Sequence, residues 1–101
     1  MSNFEPANFE AILETIEEQV SELVEFDDIR SVGGNFNTRG MSFKAKDNPH
    51  KTGTIIVGED EGEIAVDISL LDGAIRSFAF EGENDEDVIN EITEWFEENY
   101  S

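Results

Sequence analysis

From Pro6 to Phe26 the apolar residues fall at Phe9, Ile12, Leu13, Ile16, Val20, Leu23 and Val24. Steps of three and four lay one stripe along an amphipathic helix, so the pattern predicts a helix over residues 6–26. Pro6 suits the first turn, and Glu5 and Glu10 suit its positive dipole end. The same period returns at the end of the chain, where Val88, Ile89, Ile92, Trp95, Phe96 and Tyr100 share one side and Asp87, Glu91, Glu94 and Glu98 the other. Asn84 or Asp85 supplies an N-cap. Between these segments the period changes to two. Met41, Phe43 and Ala45 alternate with Ser42, Lys44 and Lys46, and Ile64, Val66, Ile68 and Leu70 alternate with Glu63, Ala65, Asp67 and Ser69. Thr54 to Val57 and Ile75 to Phe80 read as further strands, and Ser31 to Asn37 as a weaker one interrupted by Gly33 and Gly34. Turn chemistry lies at Gly58 to Gly62 and at Asp72-Gly73. The expected architecture is α+β, with an N-terminal helix, an antiparallel meander of four or five strands and a C-terminal helix. It forms a single domain over residues 1–101.

The Asp72-Gly73 turn raises a question of register. With a two-residue turn, Leu70 faces Ile75, Ile68 faces Ser77, Asp67 faces Phe78 and Ala65 faces Phe80. Phe78 and Phe80 then point away from the face that carries Ile64, Val66 and Ile68. A bulge shifting the register would resolve this, as would helices covering both faces of a curled sheet. In a third arrangement the two Phe stand exposed as an apolar anchor for a partner, although Phe is most often a core residue.

Composition supports a folded chain despite its charge. The 101 residues are 38% hydrophobic and 10% aromatic, with eight Phe, which lifts the chain out of the low-hydrophobicity class of disordered proteins. Zero Cys excludes a disulfide framework, a thiolate zinc site and a cysteine nucleophile. No apolar run approaches the roughly 20 residues needed to span a bilayer, and the N-terminus lacks a signal peptide's basic and apolar regions. A soluble cytoplasmic protein is therefore expected.

Charge changes the picture most. Acids number 25 against 6 bases, for a net charge of -19. Residues 1–29 hold nine acids and no base, residues 77–101 hold nine acids and no base, and residues 30–76 hold seven acids and all six bases. The three parts carry -9, -1 and -9 in chain order, so the net charge lies on the two helical ends. Such a protein is repelled by nucleic acid and by anionic membranes. Salt adaptation is a weaker account of this charge, because a halophilic surface is acidic on most faces and the sheet segment here is close to neutral.

Glu10, Glu14, Glu18 and Glu22 step by four, flanked by Glu17 and Glu25, with no Lys or Arg between them. At about 1.5 Å rise per residue this sets carboxylates roughly 6 Å apart along one face. Like charges so spaced destabilise a helix by about 0.2–0.5 kcal/mol per pair, where alternating Glu and Lys would stabilise it. A merely solvated face is the ordinary outcome of a charge run. The functional reading is a surface directed at a basic partner. Duplex DNA carries a phosphate about every 3.4 Å along each strand, so the row matches alternate phosphates at lower density. In size and charge the chain is similar to the small acidic inhibitors and DNA-mimic proteins that phages, mobile elements and bacteria direct against nucleases, restriction enzymes, CRISPR effectors and nucleoid proteins. The charge partition points to a partner-binding set of Glu10, Glu14, Glu17, Glu18, Glu22 and Glu25 with Asp87, Glu91, Glu94 and Glu98, and the resemblance implies a basic nucleic-acid-binding protein as the partner. An immunity protein for a basic nuclease toxin or an acidic secretion chaperone would show the same electrostatics. A structural or assembly subunit would form a defined oligomer, and a homodimer is compatible with every one of these roles.

Catalytic chemistry finds little footing, and no enzyme activity, cofactor or metal is expected. The single histidine, His50, stands in the loop Asp47-Asn48-Pro49-His50-Lys51 with no second imidazole for a metal pair. Carboxylate pairs are so abundant that two together carry no information about acid–base chemistry. Gly33-Gly34 lacks the helix and the Lys of a phosphate-binding loop. Glu83, Asp85, Asp87, Glu91 and Glu94 have calcium-loop spacing, but Val88 occupies the position that needs Gly, and the segment carries a helical period. The acidic Glu59-Asp60-Glu61 stretch reads as a solvated hairpin tip.

Overall fold

A computed structural model describes residues 6–32, 38–48, 50–80 and 85–100. Helix α1 spans Pro6–Gln19, and strands β1 (Val24–Phe26), β2 (Arg30–Ser31), β3 (Arg39–Ala45), β4 (Thr52–Asp60), β5 (Glu63–Leu70) and β6 (Ile75–Phe80) follow. Helix α2, Asp85–Tyr100, closes the described chain. All strand pairs are antiparallel, in the order β1-β3-β4-β5-β6, with β2 on the same edge of β3 as β1. The expected helix–meander–helix is the fold observed, and the additional strand is the short edge strand β1.

The first helix ends earlier than its apolar stripe suggests. It stops at Gln19, a turn follows in which Leu23 N–H and Val24 N–H both donate to the Val20 carbonyl, and Val24–Phe26 is a strand. Its last turn contains no basic residue, while Glu17, Glu18 and Glu22 sit where the negative dipole end disfavours acids. Leaving the helix lets Val24 and Phe26 pair with Ala45 and Phe43 and bury their side chains against the core. Glu22 consequently lies in the turn and Glu25 on a strand, so neither belongs to the helical row. The strand expected over Ser31–Asn37 is observed only as Arg30–Ser31, and residues 33–37 lie outside the described residues, as does the Asn84 cap.

Two hairpins depart from the turns the sequence suggests. Strand β4 runs on through Gly58 to Asp60, leaving Glu61-Gly62 as a two-residue turn with φ of 52° and 85°. Positive φ at both central residues is the type I′ geometry that matches strand twist. At the second hairpin, Ser69 rather than Leu70 faces Ile75, and Phe78 and Phe80 face Val66 and Ile64. Gly73, at φ 94°, donates to the Leu70 carbonyl at 3.0 Å, Leu70 donates to the Ala74 carbonyl at 2.8 Å, and Asp72 accepts the Ala74 N–H at 2.9 Å. This is a type I turn closed by a left-handed glycine bulge. The extra loop residue slips the register by one and turns both Phe onto the helix-bearing face, where they are half-buried against the core. The bulge is thus the resolution the structure adopts.

The core is one cluster on that face. Phe9, Ile12, Leu13 and Ile16 of α1 and Val88, Ile92 and Phe96 of α2 meet Met41, Phe43, Ile55, Val57, Ile64, Val66 and Ile68 of the sheet. At about 1.5–3 kcal/mol per fully buried large apolar side chain, this face supplies most of the folding drive. The other sheet face bears mostly small and polar residues, among them Gly40, Ser42, Thr54, Gly58, Ala65 and Ser69, together with Ile56 and Ile75, and neither helix covers it.

Glu61 is the single non-glycine residue at positive φ among those described. A left-handed non-glycine residue costs about 1–2 kcal/mol, and Asn tolerates the conformation far better. Glu61→Asn should therefore stabilise the fold by about 0.5–1 kcal/mol and raise Tm by a few degrees. Glu61→Gln, which removes the same charge without relieving the backbone, should change Tm much less. Equal melting shifts for the two variants would show that charge rather than φ sets the effect.

Candidate functional site

Both helices run in the same direction as β3. Helix α1 passes Arg39 at the start of that strand, where the guanidinium Nε donates to Glu10 at 3.2 Å, and its exit turn accepts the Lys46 N–H through the Leu23 carbonyl at the far end. The C-terminus of α2 reaches the same end, where Lys51 Nζ donates to the Asn99 carbonyl at 3.1 Å and sits 5.1 Å from the Tyr100 ring centroid. Because α1 and α2 pack on each other and on one sheet face, their outer sides form one layer. The C-terminal dipole ends, each negative, coincide with Glu17 and Glu18 on one helix and Glu97 and Glu98 on the other.

Of the residues singled out from the sequence, Glu14 and Glu18 on α1 and Asp87, Glu91, Glu94 and Glu98 on α2 are exposed on this layer, and Glu17 is half-buried. None of these pairs with a described base. Along α2 the row from Asp87 to Glu98 extends about 16 Å at the usual rise. Glu22 is exposed in the turn after α1. Glu10 faces inward enough to hold Arg39, whose side chain is 14% exposed. Glu25 leaves the layer altogether, since it opposes Lys44 on the helix-free face with a 3.6 Å ion pair.

The structure adds residues that the helix expectation concealed. Between β1 and β2 the chain takes four steps from Phe26 to Arg30 while β3 takes three from Phe43 to Gly40, which makes a bulge at Asp27–Ile29. That bulge faces α1 across a groove of about 400 Å³ lined by Glu10, Glu14, Glu17, Asp27 and Asp28, with Phe26 and Ile29 contributing apolar surface. Carboxylates around an apolar floor suit the stem and head of a Lys or Arg side chain, which buries methylenes while its charge is met at the rim. The signal was the Asp27-Asp28 pair following the apolar stripe, a stop sign for a helix already short of C-terminal bases. A second open groove, of about 650 Å³, crosses the helix-free face along Ser42, Lys44, Thr54 and Ser69. Among the described residues no group of three or more His, Asp or Glu is placed to hold a metal ion, and no helix is long and apolar enough to cross a membrane.

The chain matches no protein family, and comparison with curated proteins and with solved structures likewise returns no match.

Tyr100 reports on this end of the molecule. Burial raises its phenol above the ordinary value of 10.0, and the negative charge of Asp72 at the neighbouring hairpin raises it further. Folding therefore favours the protonated phenol, so the folded state keeps its proton where the unfolded chain has lost it. The contribution to stability is constant below the ordinary tyrosine range and declines as pH rises through it. Tyr100 is the sole tyrosine, so near-ultraviolet phenolate absorbance follows it without interference. Its midpoint should lie above that of the chain unfolded in denaturant, and Asp72→Asn should close part of the gap. A folded midpoint at or below the unfolded one would refute the assignment.

Proposed function

We propose that the protein is a non-enzymatic acidic binding protein whose helical layer occupies a basic, nucleic-acid-binding groove of a partner, in the manner of an inhibitor or DNA mimic. The observation that carries this reading is the shared placement of both acid rows on one side of the molecule without interleaved bases. Solubility alone is served as well by acids spread over every face, and more cheaply by Glu–Lys alternation along each helix. Packed helix axes lie about 8–10 Å apart, comparable to the roughly 12 Å width of the DNA major groove. The α2 row covers about half a duplex turn of 34 Å. A groove of Lys and Arg built for phosphates thus meets two carboxylate rows at related spacing, and the Asp27–Asp28 groove offers a seat for one protruding basic side chain. Charge steers such an encounter, and complementarity of position selects the partner.

The test is capture from host lysate at low salt followed by quantitative binding to the protein recovered. Affinity should fall by about a hundredfold or more between roughly 50 and 200 mM salt, as expected when several phosphate-like contacts are screened. Duplex DNA should compete, and Glu14→Lys with Glu17→Lys and Glu91→Lys should abolish binding while the circular dichroism of the protein is unchanged. Binding indifferent to salt, DNA and charge reversal would end this reading.

A further inference from the structure

The two edges of the sheet are built in opposite ways. The β1/β2 edge is short, broken by the Asp27–Ile29 bulge, and studded with Glu25, Asp27, Asp28 and Arg30, which are the devices that stop a strand from pairing with another chain. The β6 edge has one charge, Arg76, and otherwise none of them. Residues Ile75-Arg76-Ser77-Phe78-Ala79-Phe80 form a regular strand with no bulge, no Pro and no acid, and it ends the strand order. Because Leu70 donates to Ala74, alternation makes Arg76, Phe78 and Phe80 the residues bonded to β5. The N–H and C=O groups of Ile75, Ser77 and Ala79 therefore point outward, and among the described residues no strand pairs with them. Ile75 is 65% exposed and neighbouring Leu71 73% exposed, so apolar surface continues around the tip of the hairpin.

We infer that this edge pairs with the β6 edge of a second copy, antiparallel and centred on Ser77, to form a closed homodimer with one continuous sheet. The register follows from the side chains. Centred on Ser77, Ile75 meets Ala79 of the second copy in pairs that exchange both backbone bonds, and Arg76 lies opposite Phe78 of the second copy, where a guanidinium can rest on the ring. Sliding by two residues to pair Ile75 with Ser77 would set Arg76 directly against Arg76 of the second copy, and like charges opposite each other are unfavourable. Charge also selects this edge. Residues 73–80 hold one base and no acid in a chain of net charge -19, whereas residues 24–31 hold three acids and one base, so of the two sheet edges this is the one where two copies repel less. The twofold axis lies perpendicular to the sheet, so each copy uses up its bare edge and leaves only the protected β1/β2 edge. Assembly stops at two, and both helical layers fall on the same side of the joined sheet.

Sedimentation of the full chain over a range of concentrations, at low and high salt, tests this. The wild-type protein should be a monomer–dimer system in which added salt strengthens the dimer by screening repulsion between the copies. That is the opposite sign to the salt response of an acidic surface on a basic partner, so failure here and failure of the proposed function are distinguishable. Ser77→Pro removes an outward N–H that β5 does not use, and Ile75→Lys places a charge on the edge. Each should weaken the dimer by about tenfold or more, and Ile75→Lys alters an exposed side chain whose loss leaves the core intact. Amide exchange of Ile75, Ser77 and Ala79 should slow as the dimer forms. A monomer at every salt and concentration would overturn the inference, as would a dimer untouched by both variants or assemblies that keep growing with concentration.

Discussion

The ring of Phe43 holds the parts of this molecule in register. It stands 5.9 Å from Phe26, 5.1 Å from Phe96 and 5.8 Å from Tyr100, with steeply inclined or edge-to-face geometry, the arrangement that ring quadrupoles favour. One side chain of β3 thereby fixes the edge strand β1 and the C-terminal half of α2. Room for the ring comes from the opposing residue on β4. At Gly53 a Cβ would lie 2.7 Å from the Phe43 Cζ and 2.6 Å from the Ser69 carbonyl oxygen, closer than real contacts allow. The glycine lets β3, β4 and β5 stay paired beneath the ring, and Trp95, packed on Phe96 at 5.1 Å, extends the cluster along α2.

With two helices, the chain covers one face of the sheet and leaves the other to mostly small and polar residues, with Ile56 and Ile75 among them. One-sided coverage has an electrostatic consequence. Each helix turns its apolar stripe inward, so its acids must face outward, and because both helices lie on the same face both rows face the same way. The nearly neutral middle of the sequence becomes the opposite face and one edge. The division of -9, -1 and -9 along the chain is thus converted into sides of a molecule, which a net charge alone does not describe.

Most of the element list was legible in residue periodicity because the strands and helices carry strong, opposite periods. Met41, Phe43 and Ala45 face inward, as do Val88, Ile92 and Phe96, in agreement with their spacing. What was hidden depended on single residues acting against a pattern. Leu23 and Val24 continue the helical stripe, yet Val24 gains more by pairing with Ala45 than by extending a helix whose end is crowded with acids. Asp72-Gly73 matches a two-residue turn in composition, and Gly73 adopts positive φ, but at a bulge after a type I turn. That difference of one residue decides which way Phe78 and Phe80 face. The Asp27–Asp28 side of the acidic groove was hidden by the first of these effects, since a helix through Phe26 offers no bulge. The rows on Glu14, Glu18, Asp87, Glu91, Glu94 and Glu98 needed only the helical period, and each of these residues is exposed.

The few bases of the chain sharpen the meaning of its acids. Arg39 ties β3 to α1 through Glu10, Lys44 faces Glu25 across β1 and β3, and Arg30 donates to Ser42 at 3.0 Å between β2 and β3. Lys51 caps the carbonyl end of α2 from the β3–β4 loop, where a cation offsets the helix dipole. These four cations fasten one element to another, and none forms an ion pair with Asp87, Glu91, Glu94 or Glu98. Six bases distributed for charge balance would have been worth little each on an exposed helix. Four of the six are set at junctions instead, and the Asp87, Glu91, Glu94 and Glu98 row keeps its negative charge unmatched by them. A protein that spends its cations on fastening and leaves its like charges adjacent has an acidic surface that its own fold does not require.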